Sequence, residues 1–174
     1  LIDDRPFTRL SHAHSEPLIE RIDRIVQEIA GNTVEEDVTK YVKYQIHLIG
    51  DYLDILSSQD RERIFFLFYL CQRIIGETNL QVTIGGSHGD LQRGNILFSP
   101  KDGNIYVLDW ETYRARTILY DKFVFFGGLR NSNSLIDALN SLKINDSMKK
   151  KILGGFSDFK VAVALFILED LNWQ

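Results

Sequence analysis

The sequence predicts one α+β domain over residues 1–174, mostly helical, with a single embedded β-hairpin. Three observations lead there. Apolar residues recur at helical spacing along most of the chain. One stretch, from Ser87 to Trp110, breaks that texture with two short apolar runs around a turn-forming segment. The chain's 174 residues, 44% of them hydrophobic, suffice for one sizeable core.

The elements follow in order. Ser15 is a helix cap with Pro17 in the first turn. Leu18, Ile19, Ile22, Ile25, Val26 and Ile29 then keep one face, and Gly31-Asn32 stops the run. Thr33-Val34-Glu35-Glu36 reads as a capping box. Behind it Val38, Tyr41, Val42, Gln45, Leu48, Ile49, Tyr52, Leu53 and Leu56 predict one long helix. Tyr41, Tyr44 and Tyr52 read as packing residues rather than a stacking platform. Ser58 opens a third helix that ends at Gly76. Its middle, Ile64 to Cys71, is apolar all round, which predicts a central, buried helix. Ile96–Phe98 and Ile105–Trp110 flank a loop containing Asp102-Gly103, a hairpin signal. Helical patterning resumes over Leu119–Leu129, Ser134–Leu142, Ser147–Leu153 and Ser157–Leu171.

Charge and composition narrow the function. Twenty Lys and Arg stand against 24 Asp and Glu, a net −4. Nucleic-acid binders carry a basic excess or stripe, and none is visible; Lys149–Lys151 reads as a solvated helix end. An acidic chain handles anionic ligands where a metal screens them. Cys71 is the only cysteine and sits in an apolar run, so a core role is expected and no internal disulfide is available. No secretory leader opens the sequence. The longest apolar runs, Ile64–Cys71 and Val161–Leu168, are too short to span a bilayer. The expectation is a soluble cytoplasmic protein without nucleic-acid or membrane partners. The sequence opens "LIDDRPFTRL" without methionine and stops at "LEDLNWQ" inside a helical pattern. Both ends read as cut, which suggests a piece of a longer protein.

The hairpin carries the chemistry-bearing residues. His88-Gly89-Asp90 precedes the first strand, Asn95 begins it, and Asp109 ends the second. A two-stranded antiparallel ribbon brings its first and last residues together, so Asn95 and Asp109 should face one another with Asp90 nearby. Two oxygen ligands beside a third carboxylate suit Mg²⁺, which completes its shell with water and phosphate. The plainer alternative is a turn, since Asp and Asn favour turns anyway. Other clusters are weaker. His12 and His14 have no partner ligands at zinc spacing. Gly85-Gly86 lacks the pattern of a phosphate-cradling loop. Gly127-Gly128 and Gly154-Gly155 read as helix breaks, and Trp110 and Trp173 as packing residues.

"HGDLQRGN" matches the His-x-Asp-x-x-x-x-Asn catalytic loop of kinases. With glycine after the histidine, "GNIL" after the loop and "LDWE" at the second motif, the chain resembles the aminoglycoside phosphotransferase and choline kinase group. Gln92 is similar to the choline kinase branch. Asp121 in "YDKF" stands about a dozen residues beyond Asp109, where the family has an aspartate that opens a helix and braces the catalytic loop. With Asn95, Asp109, Asp121 and the hairpin all in register, the simple turn gives way to this reading. The resemblance implies a protein-kinase-like carboxyl-terminal lobe, with the hairpin carrying the catalytic and metal-binding loops. It implies ATP and Mg²⁺ as cofactors, and a small hydroxylated substrate: an aminoglycoside, choline, ethanolamine, a sugar or an amino alcohol. By the same resemblance Asp90 takes or orients the substrate hydroxyl proton, and Asn95 and Asp109 hold the metal. His88 braces the loop. Glu111 assists the metal or orients Asp109, and Arg93 touches phosphate or is simply solvated.

One family feature is missing. Residues 1–14 are too few for the strand-rich amino-terminal lobe that grips ATP, and no Val-Ala-x-Lys-like strand precedes Ser15. The expected partner is that lobe of the same protein, and the chain alone is expected to be inactive. The alternative from another class is a non-catalytic kinase-like binding or scaffold module. A protein kinase acting on polypeptides fares worse, because Asp-Phe-Gly, Ala-Pro-Glu and a long activation segment are lacking.

Overall fold

A computed structural model describes residues 5–6, 15–76, 78–99, 103–128 and 135–172; His12, His14 and Trp173 lie outside them. In chain order the elements are β1 (Arg5–Pro6), α1 (Ser15–Ala30), β2 (Val34–Asp37), α2 (Val38–Gly50), α3 (Ser58–Ile75), β3 (Gln81–Ser87), β4 (Ile96–Phe98), β5 (Ile105–Val107), β6 (Arg114–Thr117), α4 (Ile118–Gly127), α5 (Leu135–Ile144), α6 (Asp146–Leu153) and α7 (Phe159–Leu171). Short 3-10 turns cover Leu53–Ile55, Arg93–Asn95 and Trp110–Thr112. This is the expected mostly helical α+β class with small antiparallel sheets. The chain divides into two compact units, residues 1–33 with 85–152, and residues 34–84 with 153–174.

In the first unit α1 buries Ile22, Val26 and Ala30, spaced four apart, and packs against α4. Gly31, with φ of 59°, ends α1 in the left-handed conformation that glycine adopts without strain. α4 is buried nearly all round: Leu119, Tyr120, Phe123 and Val124 are at most 3% exposed. The hairpin forms as its sequence predicts. β4 and β5 pair antiparallel with Ile96 opposite Val107 and Phe98 opposite Ile105, and β1 adds a third strand beside β4. Arg21 on α1 donates to the Gly103 carbonyl in the hairpin turn, and its guanidinium lies 5.9 Å from the Phe98 ring. Ile96, fully buried, anchors the strand, and Leu91, also fully buried, anchors the loop before it.

In the second unit α3 and α2 both pack on α7. α7 contributes Val161, Ala162, Leu165 and Leu168, and α2 contributes Val38, Tyr41 and Ile49. Cys71 is buried as expected, 3.9 Å from the Ala164 carbonyl, and burial pushes its thiol up to about 11.

Four expectations change. Thr33–Glu36 is not a capping box: Val34–Asp37 forms β2, paired with β3 from Val34 opposite Ile84 to Asp37 opposite Gln81. The helix starts one strand later, with Asp37 accepting from the Lys40 amide as its cap. The partner strand β3 does alternate from Leu80 to Ile84, but only its pairing with Val34–Asp37 overrides the local capping signal. The long second helix stops at Gly50, and a 3-10 turn at Leu53–Ile55 carries the chain on. The third helix is not central. Phe68, Cys71 and Ile75 form its buried stripe, while Phe65, Phe66 and Tyr69 are each more than half exposed. An apolar-all-round sequence cannot choose which face is buried; the contacts with α2 and α7 choose it. Of the three tyrosines expected to pack, only Tyr41 does; Tyr44 and Tyr52 are exposed.

Candidate active site

β3 delivers the chain to the loop. Gly86 is required there, because a Cβ would strike the Ile29 carbonyl at 2.6 Å and the Tyr113 hydroxyl. Beyond it the backbone turns at Gly89, with φ of 83°, and two amides point at one carboxylate. His88 N donates to Asp121 Oδ2 at 2.7 Å and Gly89 N to Asp121 Oδ1 at 2.9 Å. Asp121 is 1% exposed in the first turn of α4, where the helix dipole favours negative charge. Burial raises its pKa, and the two amide bonds oppose that shift.

His88 is fully committed. Its Nε2 bonds the Leu108 carbonyl at 2.8 Å, which requires a proton on that nitrogen, and its Nδ1 accepts from the Asp90 amide at 3.3 Å. The ring packs edge-on against Trp110, 4.9 Å between centroids. His88 therefore ties the Asp90 loop to the end of β5.

Asp90 is half-buried, and two side-chain amides reach one of its carboxylate oxygens. Gln92 Nε2 and Asn95 Nδ2 both donate to Oδ2, each at 3.0 Å. Asn95 Nδ2 also donates to the Asp90 carbonyl at 2.9 Å. An oxygen acceptor on both bonds fixes which end of the Asn95 amide carries nitrogen. With both its hydrogens spent on Asp90, the part of Asn95 suited to a cation is Oδ1. Leu108 N donates to the Asn95 carbonyl at 2.9 Å, so Asn95 lies one residue of register from Asp109. Asp109 is exposed, with φ of 63° and ψ of 66°, and its carboxylate makes no cap bond to the 3-10 turn that follows. Among the described residues no group of three His, Cys, Asp or Glu side chains forms a closed metal cage. Asn95 and Asp109 offer hard oxygen donors on adjacent positions, which fits a cation that draws its remaining ligands from phosphate and water.

The other expected residues are placed as follows. Glu111 is exposed in the turn after Asp109, and among the described residues no hydrogen bond joins it to Asp109. Arg93 is exposed, its guanidinium 5.8 Å from the Phe125 ring. Trp110 packs on His88, with its Nε1 donating to the Val107 carbonyl at 2.9 Å, but remains 46% exposed. The structure thus brings His88, Asp90, Gln92, Asn95 and Asp121 into one bonded network with Asp109 beside it. Glu111 and Arg93 stay outside that network.

Comparison with solved structures bears on the fold. The chain superposes on choline kinase LicA from Streptococcus pneumoniae with a TM-score of 0.53 at 17% identity, over 99% of this chain and 58% of that one. The fold is kinase-like. A structure of LicA in complex with AMP gives a TM-score of 0.50 at 17% identity, over 99% and 56%. The chain therefore spans a little over half the length of these neighbours, and it fits a kinase-like carboxyl-terminal lobe. No family model and no curated protein matches the sequence. Among the described residues, no helix of this kinase-like lobe is long and apolar enough to cross a membrane.

Two residues beside the candidate site, Thr112 and Arg116, carried no signal in the sequence. Thr112 Oγ1 donates to the His88 carbonyl at 2.7 Å. Arg116, 2% exposed, donates from Nη1 to the Thr112 carbonyl at 3.1 Å and lies 4.6 Å over the Tyr120 ring. Gly89 makes room for both: a Cβ there would stand 2.6 Å from Arg116 Nη1 and 2.7 Å from the Thr112 carbonyl. Gly89→Ala is expected to cost about 3 kcal/mol, from left-handed strain and overpacking together. Urea denaturation would measure it; a loss below about 1 kcal/mol would mean the loop relaxes freely.

Proposed function

We propose that this chain is the carboxyl-terminal lobe of an ATP-dependent kinase of small hydroxylated molecules. The observation that carries the reading is the Asp90 carboxylate pinned by Gln92 and Asn95, with Asp109 one register position away. Likeness to a choline kinase supports it, as does the AMP complex of that neighbour. Acceptors with an alcohol and an amine, such as choline, ethanolamine or an aminoglycoside, are the leading candidates, because an aromatic ring can hold a cation; sugars remain in the same class.

In this reading Asp90 orients the acceptor hydroxyl and takes its proton as the new O–P bond forms and the bond to the ADP oxygen breaks. Asn95 Oδ1 and the Asp109 carboxylate would hold Mg²⁺, which would screen the phosphate charge. His88 and Asp121 keep the loop backbone in place. Catalysis is then mainly positioning, which two bonds to one carboxylate oxygen supply. The other wall of the nucleotide site belongs to the remainder of a longer protein, as the coverage of the neighbours suggests.

Calorimetry of Mg·ATP binding tests this on the full-length protein and on this chain alone, each with and without Asp109→Ala. Binding by the full-length protein, weakened at least about tenfold in Asp109→Ala and nearly absent in the isolated chain, is expected. Phosphoryl transfer to a panel of amino alcohols, aminoglycosides and sugars then identifies the acceptor. A second reading, a non-catalytic binding module, is favoured by the exposed Phe65, Phe66 and Tyr69 on α3. Absence of Mg·ATP binding in both proteins would select it.

A further inference from the structure

Two ties join the Asp90 loop to the segment bearing Asp109. One lies before Asp109, where Leu108 N donates to the Asn95 carbonyl and the Leu108 carbonyl meets His88 Nε2. The other lies after it, where Thr112 Oγ1 donates to the His88 carbonyl at 2.7 Å. Asp109 sits between them, exposed and left-handed, with no cap bond of its own. A turn fixed only on its upstream side would leave the Asp109 backbone free to swing about the end of β5. The Thr112 bond, together with the Trp110 ring packed on His88, closes that freedom.

We propose that Thr112 is a positioning residue for phosphoryl transfer: its hydroxyl clasps the turn after Asp109 to the Asp90 loop, with Arg116 as buttress. The inference rests on the kinase reading above. Arg116 suits the role because it is buried. Its Nη1 holds the Thr112 carbonyl, and its guanidinium is stacked on Tyr120, the neighbour of Asp121 on α4. The clasp therefore refers the Asp109 turn to the same helix that braces the loop amides. Gly89 sits in the clasp's grip, 2.8 Å from Thr112 Oγ1 if it carried a Cβ, so the clasp leaves room only for glycine there. The hydroxyl, rather than the bulk of the side chain, makes the bond.

The test compares wild type, Thr112→Val and Thr112→Ser in the full-length protein. Steady-state transfer from Mg·ATP to whichever acceptor of the panel is phosphorylated is measured beside deuterium exchange of the amides from Ser87 to Asn95. Thr112→Val, of equal shape, is expected to lower kcat about 10- to 100-fold while KM for ATP moves less than about threefold. Exchange at Gly89 and Asp90 should rise about tenfold in that variant. Thr112→Ser should restore both readouts to within about threefold of wild type. Thr112→Val with wild-type kcat overturns the inference, as does a change in KM alone, or serine behaving like valine. Wild type that phosphorylates no acceptor overturns the kinase reading and this inference with it, whereas an active wild type with an equally active valine variant overturns the inference alone.

Discussion

Asp90→Asn in the full-length protein is expected to lower phosphoryl transfer about 10³-fold while leaving Mg·ATP affinity within about threefold. The geometry makes this substitution a clean one. Gln92 and Asn95 both donate to the same oxygen, Oδ2. An asparagine with its amide oxygen at that position keeps both of these bonds while the proton-accepting carboxylate is lost. Stability should therefore stay within about 1 kcal/mol of wild type, read by thermal or urea unfolding beside the kinetics. Transfer surviving within tenfold would mean that Asp90 does not take the hydroxyl proton. A large loss of stability with the activity would mean that the bonds to Gln92 and Asn95 were not retained.

Asp121→Ala is expected to destabilise the fold by about 3 kcal/mol. Two buried amides, on His88 and Gly89, would lose their acceptor, and each unsatisfied buried donor costs about 1–3 kcal/mol. Arg116 and Thr112 would still hold the loop from the other side, so local loosening rather than global unfolding is expected at neutral pH. The pH dependence has a definite sign. Burial raises the Asp121 pKa in the folded state above its unfolded value, so the folded state binds the proton more tightly. Its favourable contribution is complete below the ordinary carboxylate range and falls as pH rises through the raised value. The stability gap between wild type and Asp121→Ala should therefore narrow over that window. Urea midpoints measured in steps across the acidic range would show it, and a gap that widens with pH would contradict the burial account.

Much of the fold lay in local signals. Helical spacing marked α1 and the helices from α4 to α7 to within a few residues, because each presents a stripe that must be buried. The hairpin was legible because Ile96–Phe98 and Ile105–Val107 flank a turn-rich loop. β2 and β6 were not, since four-residue strands gain their identity from the strand beside them. The meeting of Asn95 and Asp109 could be read only to within one residue: a ribbon's ends come together, but the register sets Asn95 opposite Leu108 rather than Asp109. The Thr112–Arg116 contacts could not, because a threonine in a short turn and an arginine in a four-residue strand look like solvated surface until the chain folds over them. Asp121 was found through resemblance alone; nothing in its neighbours announces a buried carboxylate. The exposed face of α3 went the other way, since an apolar run gives composition without direction.

The backbone of Asp109 has a consequence for anyone selecting variants of this chain. At φ of 63° it occupies a region that costs an ordinary L-residue about 1–2 kcal/mol and that asparagine or glycine enters more easily. A library screened for heat tolerance alone would enrich replacements at this position and discard the carboxylate without any sign of harm. A library screened for turnover would hold it fixed. Position 109 thus sets the two selections against each other, and sequencing it after a few rounds would reveal which one the chain had been answering.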